Sequence, residues 1–257
     1  MSSPEKKRKI GKKKFKLAVD IETIGKEAER GILAVGLCFG KDDGTIIEKR
    51  AFCSKVPPPE KFEKHCWEQF WSKFPEQLAR IDACAVDDHI GKFHAFLLEL
   101  EQKYGPFGRK HNREVELRLV SDNPGFDISR INFEFYRRGF PVALAEMFSD
   151  YVPTDDPTEQ ERGLTQRQAA LVQSFITAPH DHFPSNDAAQ IYQRMCAVKL
   201  VLDCTEVNHV KEVAPGDYHS CPETDEHAIE LVEIDLKRIE AARASFNDIE
   251  TAPACKE

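Results

Sequence analysis

The chain has 257 residues, 41% of them apolar, and a net charge of −8, which is enough apolar material for one large domain or one domain with appendages. It contains no run of roughly 18 apolar residues, so we expect no membrane span. The basic N-terminal segment lacks an apolar stretch, which argues against a secretory signal.

Charge is distributed unevenly along the chain. Residues 1–16 contain eight lysine and arginine side chains against one glutamate, a net +7, and the other 241 residues carry −15. We predict that residues 1–14 form a disordered basic tail that binds nucleic acid, acts as a nuclear address or serves only solubility. A nuclear or cytoplasmic protein is therefore expected. The acidic remainder argues against a broad duplex-binding surface.

Residues 15–22 form an apolar, β-branched run without Pro or Gly, which predicts the first strand. Side chains alternate between the two faces of a strand, so Ala18, Asp20 and Glu22 share one face. Two carboxylates at the end of a rigid strand form half a cage for a hard cation. When such a pair stands alone, it more often represents two solvated acids at a strand end.

The next segments predict two more strands and then helices. Residues 32–39 indicate a strand buried on both faces, and residues 45–52, which carry three charges, indicate an edge strand after a hairpin turn. Residues 66–74 predict a short helix, and apolar spacing predicts a longer one over residues 90–104. Trp71 is expected in the core, with stacking on a substrate base as the alternative.

A second acidic position follows another predicted strand. Residues 115–120 alternate as a strand does, and Asn123-Pro-Gly is typical of a turn. Asp127 then opens a helix that ends near residue 139. Asp127 is either a functional carboxylate or only a helix N-cap, and Asp122 is its local competitor.

A histidine and a third acidic position lie further along. Residues 151–165 have the composition of an inserted loop, and residues 165–177 predict a helix. His182 is expected on a loop, Ser185 as an N-cap, and Asp187 in the first turn of a helix over residues 187–202. The pair His219 and Asp225, one residue further apart, is the rival arrangement.

The C-terminal part is charged and amphipathic. Residues 205–222 are expected to be irregular, and residues 223–246 predict a helix that packs on the body or forms a homodimer. Eight cysteines without a C-x-x-C pair indicate reduced thiols in an intracellular protein.

Three short motifs together resemble a known family. Asp20-x-Glu22, then Asn123-x-x-Phe126-Asp127, then His182 followed five residues later by Asp187 are similar to the motifs of the DEDDh 3′–5′ exonucleases. That superfamily includes proofreading subunits, oligoribonuclease and ribonuclease T. The similarity covers roughly residues 15–203, which we expect to be the exonuclease domain, with residues 204–257 as a helical extension.

The resemblance implies both a fold and a reaction. It implies an α/β, ribonuclease-H-like mixed sheet, with three antiparallel strands and then parallel strands, flanked by helices. It implies hydrolysis of single-stranded RNA or DNA from the 3′ end to 5′-mononucleotides, with two Mg²⁺ or Mn²⁺ ions. RNA or short oligonucleotides are slightly favoured. An endonuclease and a non-catalytic nucleic-acid-binding protein on the same scaffold are the alternatives.

The resemblance also assigns residues by position. The expected metal ligands are Asp20, Glu22, Asp127 and Asp187. His182 is the expected general base, and His180 can replace it in part. Thr23 is expected to contact the terminal nucleotide.

Overall fold

The computed structural model describes residues 13–105, 115–140, 148–151, 164 and 166–212, together with 238, 240–242 and 246. These residues form an α/β structure. Its strands are β1 (Lys13–Thr23), β2 (Ile32–Lys41), β3 (Ile46–Cys53), β4 (Val115–Ser121) and β5 (Phe148–Tyr151). Its helices are α1 (Lys64–Gln69), α2 (Pro75–Ala83), α3 (His89–Tyr104), α4 (Pro124–Arg137), α5 (Gln166–Ser174) and α6 (Pro184–Glu212).

The strands form one mixed sheet in the order β3-β2-β1-β4-β5. Strands β1, β2 and β3 pair antiparallel, whereas β4 pairs parallel with β1 and β5 pairs parallel with β4. The combination of antiparallel and parallel pairs is as predicted, but the strand order differs from the predicted three antiparallel strands followed by parallel ones, because the parallel strands do not continue the sheet beyond β3. They join the other side of β1, which leaves β3 as the predicted edge strand and places β1 at the centre.

The two faces of β1 pack against different helices. Leu17, Val19 and Ile21 belong to a buried cluster that includes side chains of α3 and α4. Ala18, on the opposite face, is buried in a cluster formed largely by α6, where Ala188 also lies. Each fully buried large apolar side chain contributes about 1.5–3 kcal/mol. The alternation predicted for β1 is confirmed, and Asp20 and Glu22 follow Ala18 on the α6 side.

The last long helix differs from the prediction at both ends. It begins at Pro184, so Ser185 lies inside its first turn and is not the N-cap. Proline is favoured in the first turn of a helix, since its missing N–H has no helical partner there. The helix continues to Glu212, so residues 205–212 are not irregular and position 204 is not a break in secondary structure. The helix-breaking Pro215 and Gly216 come only later in the sequence.

Two further sequence expectations concern the cysteines and a membrane span. Cys38, Cys53, Cys66, Cys196 and Cys204 are free thiols, but Cys84 is disulfide-bonded, so the expectation of reduced cysteines throughout is wrong. Among the described residues, none of the helices is long and apolar enough to cross a membrane.

Several predicted segments lie outside the described residues. They include most of the basic tail, although Lys13 and Lys14 already belong to β1. Most of the predicted insertion over residues 151–165, the pair His219 and Asp225, and most of the predicted helix over residues 223–246 also lie there. Tyr151 itself ends β5 and does not belong to a loop.

Candidate metal centre

The first two carboxylates stand at the C-terminal end of the central strand. Asp20 pairs across the ladder with Gly36, and Glu22 pairs with Ala34. The register shifts between Glu22 and Thr23, where the ladder is irregular. Asp20 is half-buried and Glu22 is buried, so both differ from the solvated acids that a strand end alone would suggest.

The start of α6 comes close to this part of the sheet because residue 36 is a glycine. A Cβ atom added to Gly36 would lie 2.0 Å from the carbonyl carbon and oxygen of Pro184, and 2.4 Å from the amide nitrogen of Ser185. A side chain at position 36 would therefore separate the helix from the sheet. This close approach brings Asp187, in the first turn of α6, toward Asp20 and Glu22.

Asp127 reaches the same place from β4 and α4. Helix α4 begins at Pro124 after Asn123, so Asp127 is in its first turn and is not the N-cap. The hydroxyl of Ser121, at the end of β4, donates a hydrogen bond to Oδ2 of Asp127. The amide of Asn123 donates to the same hydroxyl oxygen at 3.1 Å. A buried serine thus fixes the orientation of the Asp127 carboxylate.

The structure brings all four predicted carboxylates into two overlapping groups. Asp20, Glu22 and Asp187 have carboxylate oxygens within 4.8 Å of one another, and so do Asp20, Asp122 and Asp127. Asp20 belongs to both groups. The sequence indicates Asp122 only as a competitor of Asp127. In the structure Asp122 lies beside Asp127, because both residues follow β4 closely.

Burial and mutual repulsion make this cluster unfavourable for negative charge. Burial, followed by repulsion from neighbouring carboxylates, raises the pKa of Asp20 and of Glu22 well above the ordinary range. Burial raises the pKa of Asp127 to about 8, although the hydrogen bond from Ser121 opposes this change. Burial also raises the pKa of Asp187 to about 6, and the nearby His180 opposes it.

The cluster fits hard divalent cations. Its donors are carboxylate oxygens, which Mg²⁺, Mn²⁺ and Ca²⁺ prefer. Oδ1 of Asp187 is buried and has no hydrogen-bond partner, which is costly for an ionised carboxylate unless a cation balances it. Asp20, Glu22, Asp127 and Asp187, with Asp122, are the residues that could hold such ions.

His182 lies beside Asp187, as the sequence predicts. Its backbone adopts a left-handed conformation with φ 54°, and its ring is half-buried against the edges of Phe70 and Phe74, with centroids 4.7 and 4.5 Å away. Burial lowers the pKa of His182, and His180 lowers it further. The ring is therefore favoured in the neutral form that can accept a proton.

Asp181, which the sequence did not single out, holds this loop. Its carboxylate accepts hydrogen bonds from Arg80 at 2.7 Å and from the Asn186 amide at 3.0 Å. Its carboxylate also accepts from the backbone N–H of Phe183 at 3.2 Å. Arg80 is 101 residues away in the chain, so no local pattern could reveal the contact.

The two predicted substrate contacts lie in different surroundings. Thr23 is half-buried directly after the carboxylates, and its hydroxyl donates to the carbonyl of Gly25 at 3.0 Å. Trp71 is only 1% exposed, and its indole N–H donates to the carbonyl of Thr23 at 2.9 Å. A ring buried in this way cannot stack on a base, so the alternative role for Trp71 is corrected and its core position is confirmed.

Comparison with models of known protein families finds no match for this sequence, and comparison with curated proteins finds no match either.

Proposed function

We propose that this chain is a metal-dependent 3′–5′ exonuclease with a ribonuclease-H-like fold, as its resemblance to the DEDDh enzymes implies. The observation that carries the proposal is the meeting of Asp20, Glu22, Asp127 and Asp187 with His182. These residues come from a strand, two helix starts and a loop that are far apart in sequence. Carboxylates with a merely structural role would be better stabilised by nearby positively charged side chains than by burial among other carboxylates.

The proposed reaction is hydrolysis of a phosphodiester. When bound, two Mg²⁺ or Mn²⁺ ions supply charge neutralisation for the phosphodiester and acidify water. The chain's part is to hold the carboxylates in place: Ser121 orients Asp127, and Gly36 admits the helix that carries Asp187. The raised pKa values of these carboxylates agree with a cluster whose charge is completed by cations.

His182 is the proposed general base. Its neutral imidazole would accept the proton of the attacking water, which general-base catalysis requires. Phe70 and Phe74 restrict the ring, and Asp181 restricts the loop. His180, whose ring centroid is 4.9 Å from that of His182, is the proposed partial substitute.

The proposed substrate is the 3′ end of single-stranded RNA or DNA. Thr23 is the proposed contact to the terminal nucleotide, because it directly follows Glu22 and the buried Trp71 fixes its carbonyl. RNA or short oligonucleotides remain slightly favoured.

A time course on gels tests this function. Matched 5′-labelled single-stranded RNA and DNA are incubated with Mg²⁺, Mn²⁺ or EDTA, using wild type, Asp20→Ala, Asp187→Ala and Asp225→Ala. The expected result is a ladder that shortens from the 3′ end, is absent with EDTA and is lost in Asp20→Ala and Asp187→Ala. Asp225→Ala, which changes the rival third motif, should retain activity.

Three other results would each contradict a different part of the proposal. Internal fragments without a regular ladder would indicate an endonuclease. Binding without cleavage in either metal would indicate a nucleic-acid-binding protein. Activity that survives Asp187→Ala but not Asp225→Ala would assign the third motif to His219 and Asp225.

A further inference from the structure

A third group of metal-ligating side chains lies next to the carboxylate cluster and differs from it in chemistry. Ligand atoms of His180, His182 and Asp187 lie within 4.8 Å of one another. The other two groups found among the described residues contain carboxylates only. Imidazole nitrogens favour borderline ions such as Zn²⁺ and Co²⁺, whereas carboxylates alone favour Mg²⁺ and Mn²⁺.

We propose that His180, His182 and Asp187 form a separate site for a borderline divalent ion such as Zn²⁺. Two histidines and one carboxylate are sufficient protein ligands for zinc, with a remaining position for water. The site shares Asp187 with the carboxylate cluster, and a ring nitrogen of His182 coordinates the ion. An ion bound there therefore competes with Mg²⁺ for one ligand.

The surroundings of Asp187 leave its carboxylate available as a ligand. Asp187 is only 7% exposed, and its Oδ1 atom is buried without a hydrogen-bond partner. Its other oxygen, Oδ2, lies 4.0 Å from Nε2 of His180.

The loop that carries the two histidines is held on both sides. Arg80 of α2 and Asn186 of α6 both bind the Asp181 carboxylate between the histidines. The side chain of His180 is 51% exposed, which provides a route from solvent to the site. His182 is confined by neighbouring aromatic rings on the inner side. His180 is thus accessible, whereas His182 and Asp187 are fixed. Fixed ligands reduce the conformational entropy lost when an ion binds.

Occupation of this site has a functional consequence that rests on the proposed function. If His182 is the general base, an ion on its nitrogen blocks proton transfer. Zn²⁺ would then inhibit hydrolysis while Mg²⁺ supports it. The binding of the ion itself does not depend on any nuclease activity.

Optical titration with Co²⁺, followed by displacement with Zn²⁺, tests the site in the full-length protein. We expect one equivalent of Co²⁺ to give visible absorption without a thiolate charge-transfer band, and His180→Asn to weaken binding at least 10-fold. His180→Cys supplies a different zinc ligand and should restore binding of Zn²⁺. His65→Asn, which changes an exposed histidine on α1, is the matched control and should bind as wild type does.

The outcomes separate this proposal from the proposed function. Equal Co²⁺ binding by wild type and His180→Asn, or a band from cysteine thiolate in wild type, would overturn the site. Circular dichroism confirms folding of His180→Asn, and recovery in His180→Cys distinguishes loss of a ligand from loss of structure. Site-specific binding in a protein with no Mg²⁺-dependent hydrolysis would support the ion site and reject the exonuclease.

Discussion

Gly36 of β2 and Pro184 of α6 are so close that a Cβ atom at position 36 would lie 2.0 Å from the Pro184 carbonyl. Gly36 is also the cross-strand partner of Asp20. One glycine therefore sets the distance between the strand that carries two carboxylates and the helix that carries a third.

Gly36→Ala is expected to move the start of α6 away from the sheet. Overpacking of this kind costs about 1–3 kcal/mol, and it would separate Asp187 from Asp20. We expect a lower melting temperature and a loss of the stabilisation that Mn²⁺ gives to wild type, measured by thermal unfolding with and without the ion. Gly125→Ala is the control, because its Cβ would meet only Asn123 Oδ1, at 4.0 Å. An unchanged Mn²⁺ effect in Gly36→Ala would contradict this role.

The metal-free protein should lose stability as the pH rises. A carboxyl group with a raised pKa in the folded state contributes stability that is complete below its unfolded pKa. That contribution is lost as the pH rises through the folded pKa. For Asp187 this loss extends to pH about 6, and for Asp127 to pH about 8. Chemical denaturation at several pH values in EDTA measures it.

Asp127→Asn removes one of these ionisable groups and tests the same pH dependence of stability at a single residue. At pH 8 in EDTA, the variant should be more stable than wild type by about 1 kcal/mol or more, a rise of ~2–4 °C in melting temperature. The difference should shrink toward pH 5. Asp87→Asn, an exposed aspartate outside the cluster, is the control. A variant that is less stable than wild type at pH 8 would show that ionised Asp127 is favourable even without a cation.

His182→Ala should reduce kcat by roughly 10²–10⁴, the usual contribution of a general base. Because burial lowers the pKa of His182, the acid limb of the wild-type kcat/KM profile should lie below the ordinary histidine value. The variant should lose that limb, and a double change with His180→Ala should lower activity further. His65→Ala is the control. An unchanged profile in His182→Ala would remove it from the reaction.

The two tryptophans offer a test of where the substrate binds. Trp67→Phe leaves buried Trp71 as the single tryptophan, and its fluorescence should resist acrylamide quenching. Trp71→Phe leaves half-buried Trp67, which should be quenched more strongly. Added oligonucleotide should not change the quenching of Trp71. Strong acrylamide quenching of Trp71 that added oligonucleotide suppresses would contradict its burial and support stacking on a substrate base.

The parts of the fold that follow a periodic pattern could be predicted from sequence. Residues 15–22 alternate with period two, which was sufficient to assign Asp20 and Glu22 to one face. The apolar spacing in residues 90–104 was equally sufficient for α3. The order of the strands in space could not be read in this way, because it depends on which strand edge receives β4.

The parts of the site that depend on distant contacts could not be predicted. Asp181 acts through Arg80 and Asn186, and Gly36 acts through Pro184, and neither relationship leaves a local pattern. Serine is favoured at the N-cap, which predicts that role for Ser185, but Pro184 starts the helix one residue earlier. The core position of Trp71 was predictable, but its hydrogen bond to the carbonyl of Thr23, 48 residues earlier, was not.

The central claim is that the carboxylate cluster holds divalent cations. Its most direct test is the number of Mn²⁺ ions bound per chain, measured by electron paramagnetic resonance for wild type and Asp20→Asn. Since Asp20 belongs to both carboxylate groups, we expect saturable binding of two ions in wild type and weak or no binding in the variant. Wild-type protein that binds no Mn²⁺, or binding that Asp20→Asn leaves unchanged, would contradict the account.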